Sequence, residues 1–218
     1  MNKILAWHFL QDDCKMRFNS DITVKPGVEY KATLPLIMCE NGLHASERII
    51  DALNYAPGPV VCRVELSGEM IKDEDKICAE NRKVLWMYDA TNVLHEFACA
   101  VAEQALLKGR ESGKEPDPRS WQAIKVKRRW LKGEASSEEL EAARAAAWEA
   151  WEAREAAEAT AWAAARAAAR AAGAAAWEAA WAAAWAAAEA TAWAAAEEEY
   201  NTYNTLLKQM IMEAYKDE

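Results

Sequence analysis

One tract of the chain, residues 135–196, constrains its fold more than any other feature. Alanine occupies 36 of the 62 positions in this tract. Alanine has the highest helix propensity and loses no side-chain entropy on folding, so the tract is predicted to be helical. Ser136 and Glu139 form the Ser-x-x-Glu pattern of a capping box, which places the helix start at this point.

Gly173 is the only glycine of the tract and predicts where its helix turns. An uninterrupted helix from Ser137 to Glu199 would be about 95 Å long at the standard rise. On each side of Gly173, alanines recur every three or four residues and line one helix face, which lets two helices approach more closely than the usual distance of about 8–10 Å. We therefore predict a long antiparallel helical hairpin that turns near Gly173. Several shorter helices with alanine-containing turns are the alternative.

Most tryptophans of the chain lie in the same tract, and they dominate the area that it can bury. A buried tryptophan removes about 150–250 Å² from water, far more than an alanine. They form the core of the helical half, an interface with a partner or a second copy, or an aromatic ligand cage. The predicted interface residues are Trp148, Trp151, Trp162, Trp177, Trp181, Trp185 and Trp193.

The first 88 residues have a mixed composition and strand-like runs. The connections between the runs are too short for several parallel crossovers, which favours a mostly antiparallel sheet. A short helix is predicted over residues 45–56, where Ile49, Ile50 and Leu53 form an apolar stripe. The predicted strands are Ile4–Leu10, Leu34–Cys39, Val60–Leu66 and Lys83–Met87.

These patterns define the predicted fold class and domains. We expect an α+β N-terminal domain, with a small mostly antiparallel sheet and one or two helices, over residues 1–88. Connecting helices occupy residues 89–133: one is capped by Asp89 or Thr91, and another covers about Arg119–Lys132. Residues 134–218 form an all-α, Ala/Trp-rich domain with the hairpin and a C-terminal helix.

Charge and cysteine usage exclude several classes of protein. The chain has 26 Lys+Arg against 35 Asp+Glu, a net charge of −9, so nucleic acid is not an expected partner of the whole surface. The only basic cluster, residues 125–129, is predicted to be a solvated face or to pair with glutamates. The five cysteines have no CxxC spacing, which argues against a disulfide framework. No apolar run of about 18 residues predicts a membrane span. We expect a soluble, cytoplasmic protein.

The string CENGLHASE, residues 39–47, is the strongest candidate for a functional segment in the N-terminal domain. Gly42 permits a tight turn, and His44 is the acid–base candidate. Arginines such as Arg48 and Arg63 can hold a phosphate with two parallel hydrogen bonds. The predicted ligand-binding residues are Cys39, His44, Glu47, Arg48 and Arg63.

The cysteines and histidines of the chain suggest two further chemistries. Cys39, His44, His95 and Cys99 contain the ligand types of a Cys₂His₂ zinc site, but no spacing in the sequence demands one. Cys39 with His44 or His95 could form a nucleophile–base pair, but an orienting partner is not recognisable. We therefore predict no catalytic residue, no metal and no cofactor. His8 is predicted to be a partly buried strand residue.

The N-terminal strings resemble a known but uncharacterised family. AWHFL, LPLIMCENGLHAS, DALNYAPGPVVCRVELSGE, DKICAENRKVLWMYDATNVLHEFAC and AEQAL are similar to proteins common in bacteriophages, especially those of actinobacteria. The resemblance spans about residues 4–107. It implies no activity.

The second half is similar to a helical immunity-protein domain that is associated with polymorphic toxins and also occurs in phage proteins. The matching pattern contains Trp121, Arg128, Trp130 and Gly133. Beyond Ala142 the low complexity of the sequence makes the match less specific. The resemblance implies a protein partner and brings no catalytic residue.

Three functions follow as hypotheses. The first is a non-enzymatic phage-type immunity or binding protein that sequesters or blocks a partner in the bacterial cytoplasm, in counter-defence or toxin immunity. The alternative is a protein or enzyme that binds a nucleotide or a nucleotide signal in the N-terminal domain. The second alternative is a structural phage protein that self-assembles as a homo-oligomer through its tryptophan faces.

Overall fold

A computed structural model describes residues 3–17, 21–113, 115–150, 152 and 197–217. The chain divides into two compact units, and each is described by itself below. The first contains Met1–Phe97 and Tyr200–Glu218, and the second contains Ala98–Glu199. The C-terminal residues therefore belong to the N-terminal unit, whereas the sequence boundaries grouped them with the alanine-rich part. None of the helices within the described ranges is long and apolar enough to cross a membrane.

The first unit is built on an antiparallel sheet, which confirms the predicted sheet type. Its central hairpin pairs two 13-residue strands, β4 and β5, and β1 pairs the free edge of β4. Two short strands, β2 and β3, both pair β5. The strands are β1 (Ile4–Leu10), β2 (Glu29–Lys31), β3 (Leu43–Ala45), β4 (Val60–Lys72) and β5 (Ile77–Asp89).

A backbone bridge makes this sheet curl back on itself. The N–H of Trp7 donates to the carbonyl of Ser46 at 2.7 Å, and the N–H of Ser46 donates to the carbonyl of Trp7 at 2.9 Å. The bridge brings the outer edge of β1 beside the chain that follows β3. One face of the curled sheet consequently becomes an inner face.

The inner face carries the main hydrophobic core. Successive strand side chains point to opposite faces, so alternate residues face inward within each regular stretch, and the two bulges between β4 and β5 shift this alternation. Ala6 and Leu10 of β1 face Val64 and Val60 of β4, and all four are buried. The rest of this cluster is Val24, Ala45, Cys62, Leu66, Ile77, Ala79 and Val84.

The opposite, outer face is covered by two helices, α1 (Ile49–Asn54) and the part of α5 (197–216) that begins at Tyr200. The ring of Tyr215 stacks on Trp86 with centroids 4.2 Å apart, and Trp86 meets Trp7 edge-on at 5.8 Å. Leu207 and Ile211 of α5 have 0% exposure. The C-terminal helix therefore contributes to the core of the N-terminal unit.

The predicted strand Leu34–Cys39 is wrong. The segment forms turns, closed by a bridge in which Ile37 and Asn41 exchange backbone hydrogen bonds. The side-chain amide of Asn41 also donates to the carbonyls of Thr33 and Pro35, each at 2.7 Å. Because Asn41 satisfies these backbone groups locally, the segment does not need a neighbouring strand.

Helices follow the sheet, as the sequence predicts. They are α2 (Thr91–Glu111), α3 (Pro118–Leu131) and the helical residues 137–150, named α4. The carboxylate of Asp89 accepts from the N–H of Thr91 at 3.0 Å, and that of Asp117 accepts from the N–H of Arg119 at 2.9 Å. The hydrogen bonds from Arg119 lower the pKa of Asp117 to about 2.

The predicted capping box of α4 is confirmed. The N–H of Glu139 donates to Ser136 Oγ at 3.1 Å, and the N–H of Ser136 donates to Glu139 Oε2 at 2.8 Å. The predicted hairpin at Gly173 lies outside the described residues. So do all the predicted interface tryptophans except Trp148, whose side chain is 59% exposed.

The basic cluster of α3 pairs with carboxylates inside the second unit. Arg128 bonds to Glu103 at 2.8 Å, and Arg129 lies 3.6 Å from Glu139. The Lys127 ammonium lies 4.0 Å from the centroid of the Trp130 ring. Two of the basic side chains of this cluster thus pair with carboxylates, and a third lies over an aromatic ring.

We predict that α5 stabilises the sheet. Leu207→Ala should lower the free energy of unfolding by about 2–5 kcal/mol, because truncation of a fully buried leucine leaves a cavity. Hydrogen exchange of the β4 and β5 amides measures this locally. Lys208→Ala, at the adjacent exposed position, should change it by less than about 0.5 kcal/mol. Equal protection in both variants would contradict the assignment of α5 to this core.

Candidate ligand-binding pocket

A cavity of about 400 Å³ opens in the N-terminal unit, beside β1 and β3. This volume is typical of small-molecule sites, which span about 300–1,000 Å³. The wall is formed by β1, β3, the loop that precedes β3, and residues of α1 and β5. Its aromatic residues are Trp7, Phe9 and Tyr55, its basic side chains are Arg17, Lys76 and Arg82, its histidines are His8 and His44, and its carboxylate is Glu40.

The loop before β3 is held in place by two unusual backbone positions. Cys39 has φ +66° and Gly42 has φ +141°. A Cβ added at Gly42 would lie 2.1 Å from Cys78 Sγ and 3.3 Å from a methyl group of Leu36. The predicted tight turn is therefore present, and glycine is required there both by its φ angle and by its close approach to Cys78.

His44 bonds to the backbone of this loop. Its Nε2 accepts a hydrogen bond from the N–H of Cys39 at 3.1 Å. Burial lowers the pKa of His44, nearby Arg82 lowers it further, and a hydrogen bond to the backbone of Gly42 opposes the shift. This arrangement makes His44 a neutral positioning residue that holds Cys39 and Gly42 at the pocket.

Arg82 is the most deeply buried charge in the pocket, with 3% exposure. It lies on β5 opposite Leu66 and so points to the inner face. Its Nη1 donates to the carbonyl of His44 at 2.8 Å, while its buried Nε has no hydrogen-bond partner among the described residues. Desolvation lowers the pKa of Arg82 to about 10, so the guanidinium is still charged at neutral pH.

Asp51 of α1 shows how the same domain treats another buried charge. It is also 3% exposed. Its carboxylate accepts from Arg48 at 2.7 and 3.1 Å and from the hydroxyl of Tyr200 at 2.7 Å. Arg82 has no comparable set of partners, because no carboxylate in the described part of the chain forms an ion pair with it.

His8 lies beside Arg82 on the inner face. It is partly buried on β1, as the sequence predicts, directly opposite Cys62 of β4. Desolvation holds the pKa of His8 well below its usual value, and the positive charges of Arg82 and Arg17 lower it further. The imidazole is therefore neutral at neutral pH. Burial also raises the pKa of the Cys62 thiol to about 12, so this cysteine is not a thiolate.

The rim of the pocket is polar and carries an aromatic ring. The hydroxyl of Tyr55 bonds to Asp75 at 2.6 Å and accepts from Lys76 Nζ at 3.3 Å, and Arg17 donates to the Tyr55 carbonyl. The hydrogen bond to Asp75 raises the pKa of Tyr55. With 42% of Tyr55 exposed, a planar group at the rim can stack on it.

The five predicted ligand-binding residues do not form one cluster. Cys39 and His44 line the pocket and contact each other. Glu47 bonds to Lys72 at the surface at 2.9 Å, and Arg48 pairs with Asp51 and lies over the Tyr200 ring. Arg63 lies over the Trp7 ring, 4.4 Å from its centroid, among the aromatic residues of the outer face.

Sequence reasoning missed Arg82 and did not assign His8 to the pocket. Both interrupt an apolar period-two pattern: His8 lies between the inward-facing Ala6 and Leu10, and Arg82 precedes the inward-facing Val84 by two residues. A polar residue at such a position is a usable signal. The predicted strand began at Lys83, one residue too late to include Arg82.

The arrangement suits binding of an anion. A buried guanidinium, two further basic side chains and two neutral imidazoles face one cavity that carries a single carboxylate in its described lining. The described residues contain no group of three or more His, Cys, Asp or Glu side chains arranged to hold a metal ion. All five cysteines are free thiols.

The fold and the pocket thus define a small antiparallel α+β domain with a basic internal cavity. Residues 4–96, which contain the whole sheet, match the model of a family described as a domain of unknown function (DUF7666). The match covers most of the region that resembles an uncharacterised family. Neither the curated proteins nor the solved structures contain a match to the chain.

We predict that Gly42→Ala disrupts the pocket wall, because the new Cβ would overlap Cys78 Sγ in a backbone conformation that L-residues rarely adopt. The free energy of unfolding should fall by more than about 2 kcal/mol, as measured by urea denaturation. Gly27→Ala is the matched control. It also has positive φ but nothing within 4 Å of the new Cβ, so it should cost only about 1 kcal/mol. Equal costs would contradict the close approach at Gly42.

Proposed function

We propose that the N-terminal domain binds a small phosphate-bearing, nucleotide-like ligand in this pocket, with Arg82 as the main anion contact. The observation that carries the proposal is the burial of Arg82, at 3% exposure, with one backbone acceptor and an unbonded Nε.

The energetics of burial support this role for Arg82. Removing a charge from water costs several kcal/mol unless a counter-charge and hydrogen bonds compensate it. Asp51 receives that compensation from Arg48 and Tyr200, whereas Arg82 donates one hydrogen bond, to the neutral carbonyl of His44. A bound phosphate would supply both the counter-charge and acceptors for the guanidinium fork.

The local charge of the pocket supports an anionic ligand although the chain has a net charge of −9. Arg17, Lys76 and Arg82 line the cavity against the single carboxylate of Glu40 in its described wall. Positive charge concentrated in a concave site attracts anions locally even when the whole molecule is acidic.

The aromatic part of the lining supports a ligand with a planar group. Of the aromatic lining residues, Tyr55 is 42% exposed, whereas Trp7 and Phe9 are only 2% and 1% exposed. A nucleotide combines a phosphate for the basic residues with a base that can stack on Tyr55. Arg48 and Arg63, which the sequence favoured as phosphate contacts, do not line this cavity, whereas Arg82 does. Arg82 is therefore the proposed phosphate contact.

We predict that Arg82→Met strongly weakens nucleotide binding without destabilising the domain. Full-length protein is titrated by isothermal calorimetry with the four ribonucleoside 5′-monophosphates and with inorganic phosphate. The wild type should bind at least one nucleotide, and Arg82→Met should weaken it by about 100-fold through loss of a charge-assisted contact. Its free energy of unfolding should change by less than about 1 kcal/mol, because an apolar residue replaces an uncompensated charge.

Arg63→Met is the matched control, because it removes a second partly buried arginine whose guanidinium lies against the outer-face aromatic residues. It should leave nucleotide affinity within about threefold of the wild type. Absence of binding by the wild type, or unchanged binding in Arg82→Met, would refute the proposed function. A strong loss of stability in Arg82→Met with retained affinity would assign Arg82 a purely structural role.

A partner-binding role of the helical half is a second proposal. It is supported by the exposed ring of Trp148 on α4 and by the resemblance to an immunity-protein domain. In this hypothesis the chain sequesters or blocks a protein in the bacterial cytoplasm. We also propose a phage origin for the chain and, as the alternative to a separate partner, self-assembly through its tryptophan faces.

For this second role, native mass spectrometry of the gently purified chain should show a stoichiometric partner. Trp148→Ala should release it, because aromatic side chains carry much of the binding energy of an interface. Arg144→Ala, also on α4 and 68% exposed, is the control and should retain the partner. A bare monomer would contradict partner binding, and a homo-oligomer that Trp148→Ala dissociates would favour self-assembly.

A further inference from the structure

Of the two imidazoles that line the pocket, His8 is the one without a hydrogen-bond partner among the described residues. Nε2 of His44, in contrast, accepts a hydrogen bond from the N–H of Cys39. It is partly exposed and lines the cavity. An imidazole at this position can therefore bond directly to a ligand.

The position of His8 in the sheet is one that an apolar side chain would ordinarily fill. Ala6 and Leu10, two residues to either side, have 0% and 1% exposure. The neighbour across the ladder is Cys62, which is fully buried. A histidine among these residues gives up the packing of an aliphatic side chain, which is unfavourable unless the ring has another role.

The groups around His8 are basic or neutral. Arg82 of β5, Arg17 of the segment after β1, and His44 of β3 act on it electrostatically, and Cys62 of β4 lies opposite it. The other titratable residues of the described lining are Cys39, Glu40, Tyr55 and Lys76. Together with desolvation, the positive charges keep the free imidazole unprotonated.

We propose that His8 takes up a proton when the pocket binds its ligand, and that the resulting imidazolium and Arg82 together select a dianionic phosphate monoester over a phosphodiester. The inference rests on the proposed function, because the phosphate must first lie next to Arg82. A bound dianion outweighs the repulsion from Arg82 and Arg17 and favours the protonated ring. A phosphodiester carries one negative charge and compensates less of this repulsion.

The sign of the pH dependence follows from the proton uptake. Protons bind with the ligand, so the association constant falls as pH rises between the pKa of free His8 and its higher pKa in the complex. Ionisation of the ligand acts in the opposite direction below pH of about 6, where the second phosphate proton is lost. Above that pH the phosphate is already ionised, so the remaining pH dependence of the association constant reports on His8.

The test is calorimetric titration of the full-length chain at pH 7.0 with AMP and with 3′,5′-cyclic AMP, in buffers of different ionisation enthalpy. The dependence of the observed heat on the buffer gives the number of protons taken up. The wild type should take up protons with AMP and bind it at least about 10-fold more tightly than the cyclic diester. In His8→Gln, the uptake should vanish and the preference should fall to about threefold or less.

His95→Gln is the matched control, because it removes a histidine of α2 that does not line the pocket. It should keep both the proton uptake and the preference for the monoester. Binding of AMP by the wild type without proton uptake, or with the same uptake and preference in His8→Gln, would overturn the role of His8 and leave the proposed function intact. Failure of the wild type to bind AMP, cyclic AMP or any of the other three ribonucleoside 5′-monophosphates would overturn both proposals.

Discussion

Burial of the Arg82 guanidinium with a single hydrogen-bond acceptor is the physical feature on which the proposed function of this domain depends. A small sheet that curls around an apolar core would ordinarily fill its inner face with aliphatic side chains. Here β5 places a charge on that face and gives it one carbonyl acceptor. Such a charge is costly in the empty pocket and favourable beside an anion, so its presence favours a binding site over a purely structural interior.

Packing on the outer face offsets the free-energy cost of burying the Arg82 guanidinium. Trp7, Trp86 and Tyr215 form a continuous aromatic contact there, and Leu207 and Ile211 of α5 are completely buried. The buried carboxylate of Asp51 links α1 to α5 through Tyr200. Because these contacts on the outer face stabilise the sheet, the fold can keep a cavity and polar groups elsewhere. The C-terminal helix, far away in sequence, thereby supports the pocket.

Local sequence signals predicted much of the fold. The bounds of β1 were predicted correctly, as was the capping box of Ser136 and Glu139, because alternation and capping depend on neighbouring residues. Leu34–Cys39 was mistaken for a strand, since its apolar content outweighed the effect of Asn41, whose amide closes the turns. The packing of α5 on the sheet involves contacts across about 150 residues, which no local pattern encodes.

The pocket was only partly predictable for the same reason. The CENGLHASE string correctly drew attention to Gly42 and to the contact between Cys39 and His44. Arg82 and His8 belong to different strands, and the curl of the sheet brings them together. Arg48 and Arg63 were reasonable phosphate contacts by residue type. Their partners, Asp51 and the Trp7 ring, became visible only in three dimensions.

The most direct test of the central claim is a set of crystal structures of the full-length chain grown with each of the four ribonucleoside 5′-monophosphates. We predict that at least one of them shows phosphate density in the pocket, with an oxygen within about 3.2 Å of Arg82 Nε. A pocket that stays empty with all four at saturation, or a phosphate bound elsewhere with Arg82 Nε still unbonded, would contradict this prediction.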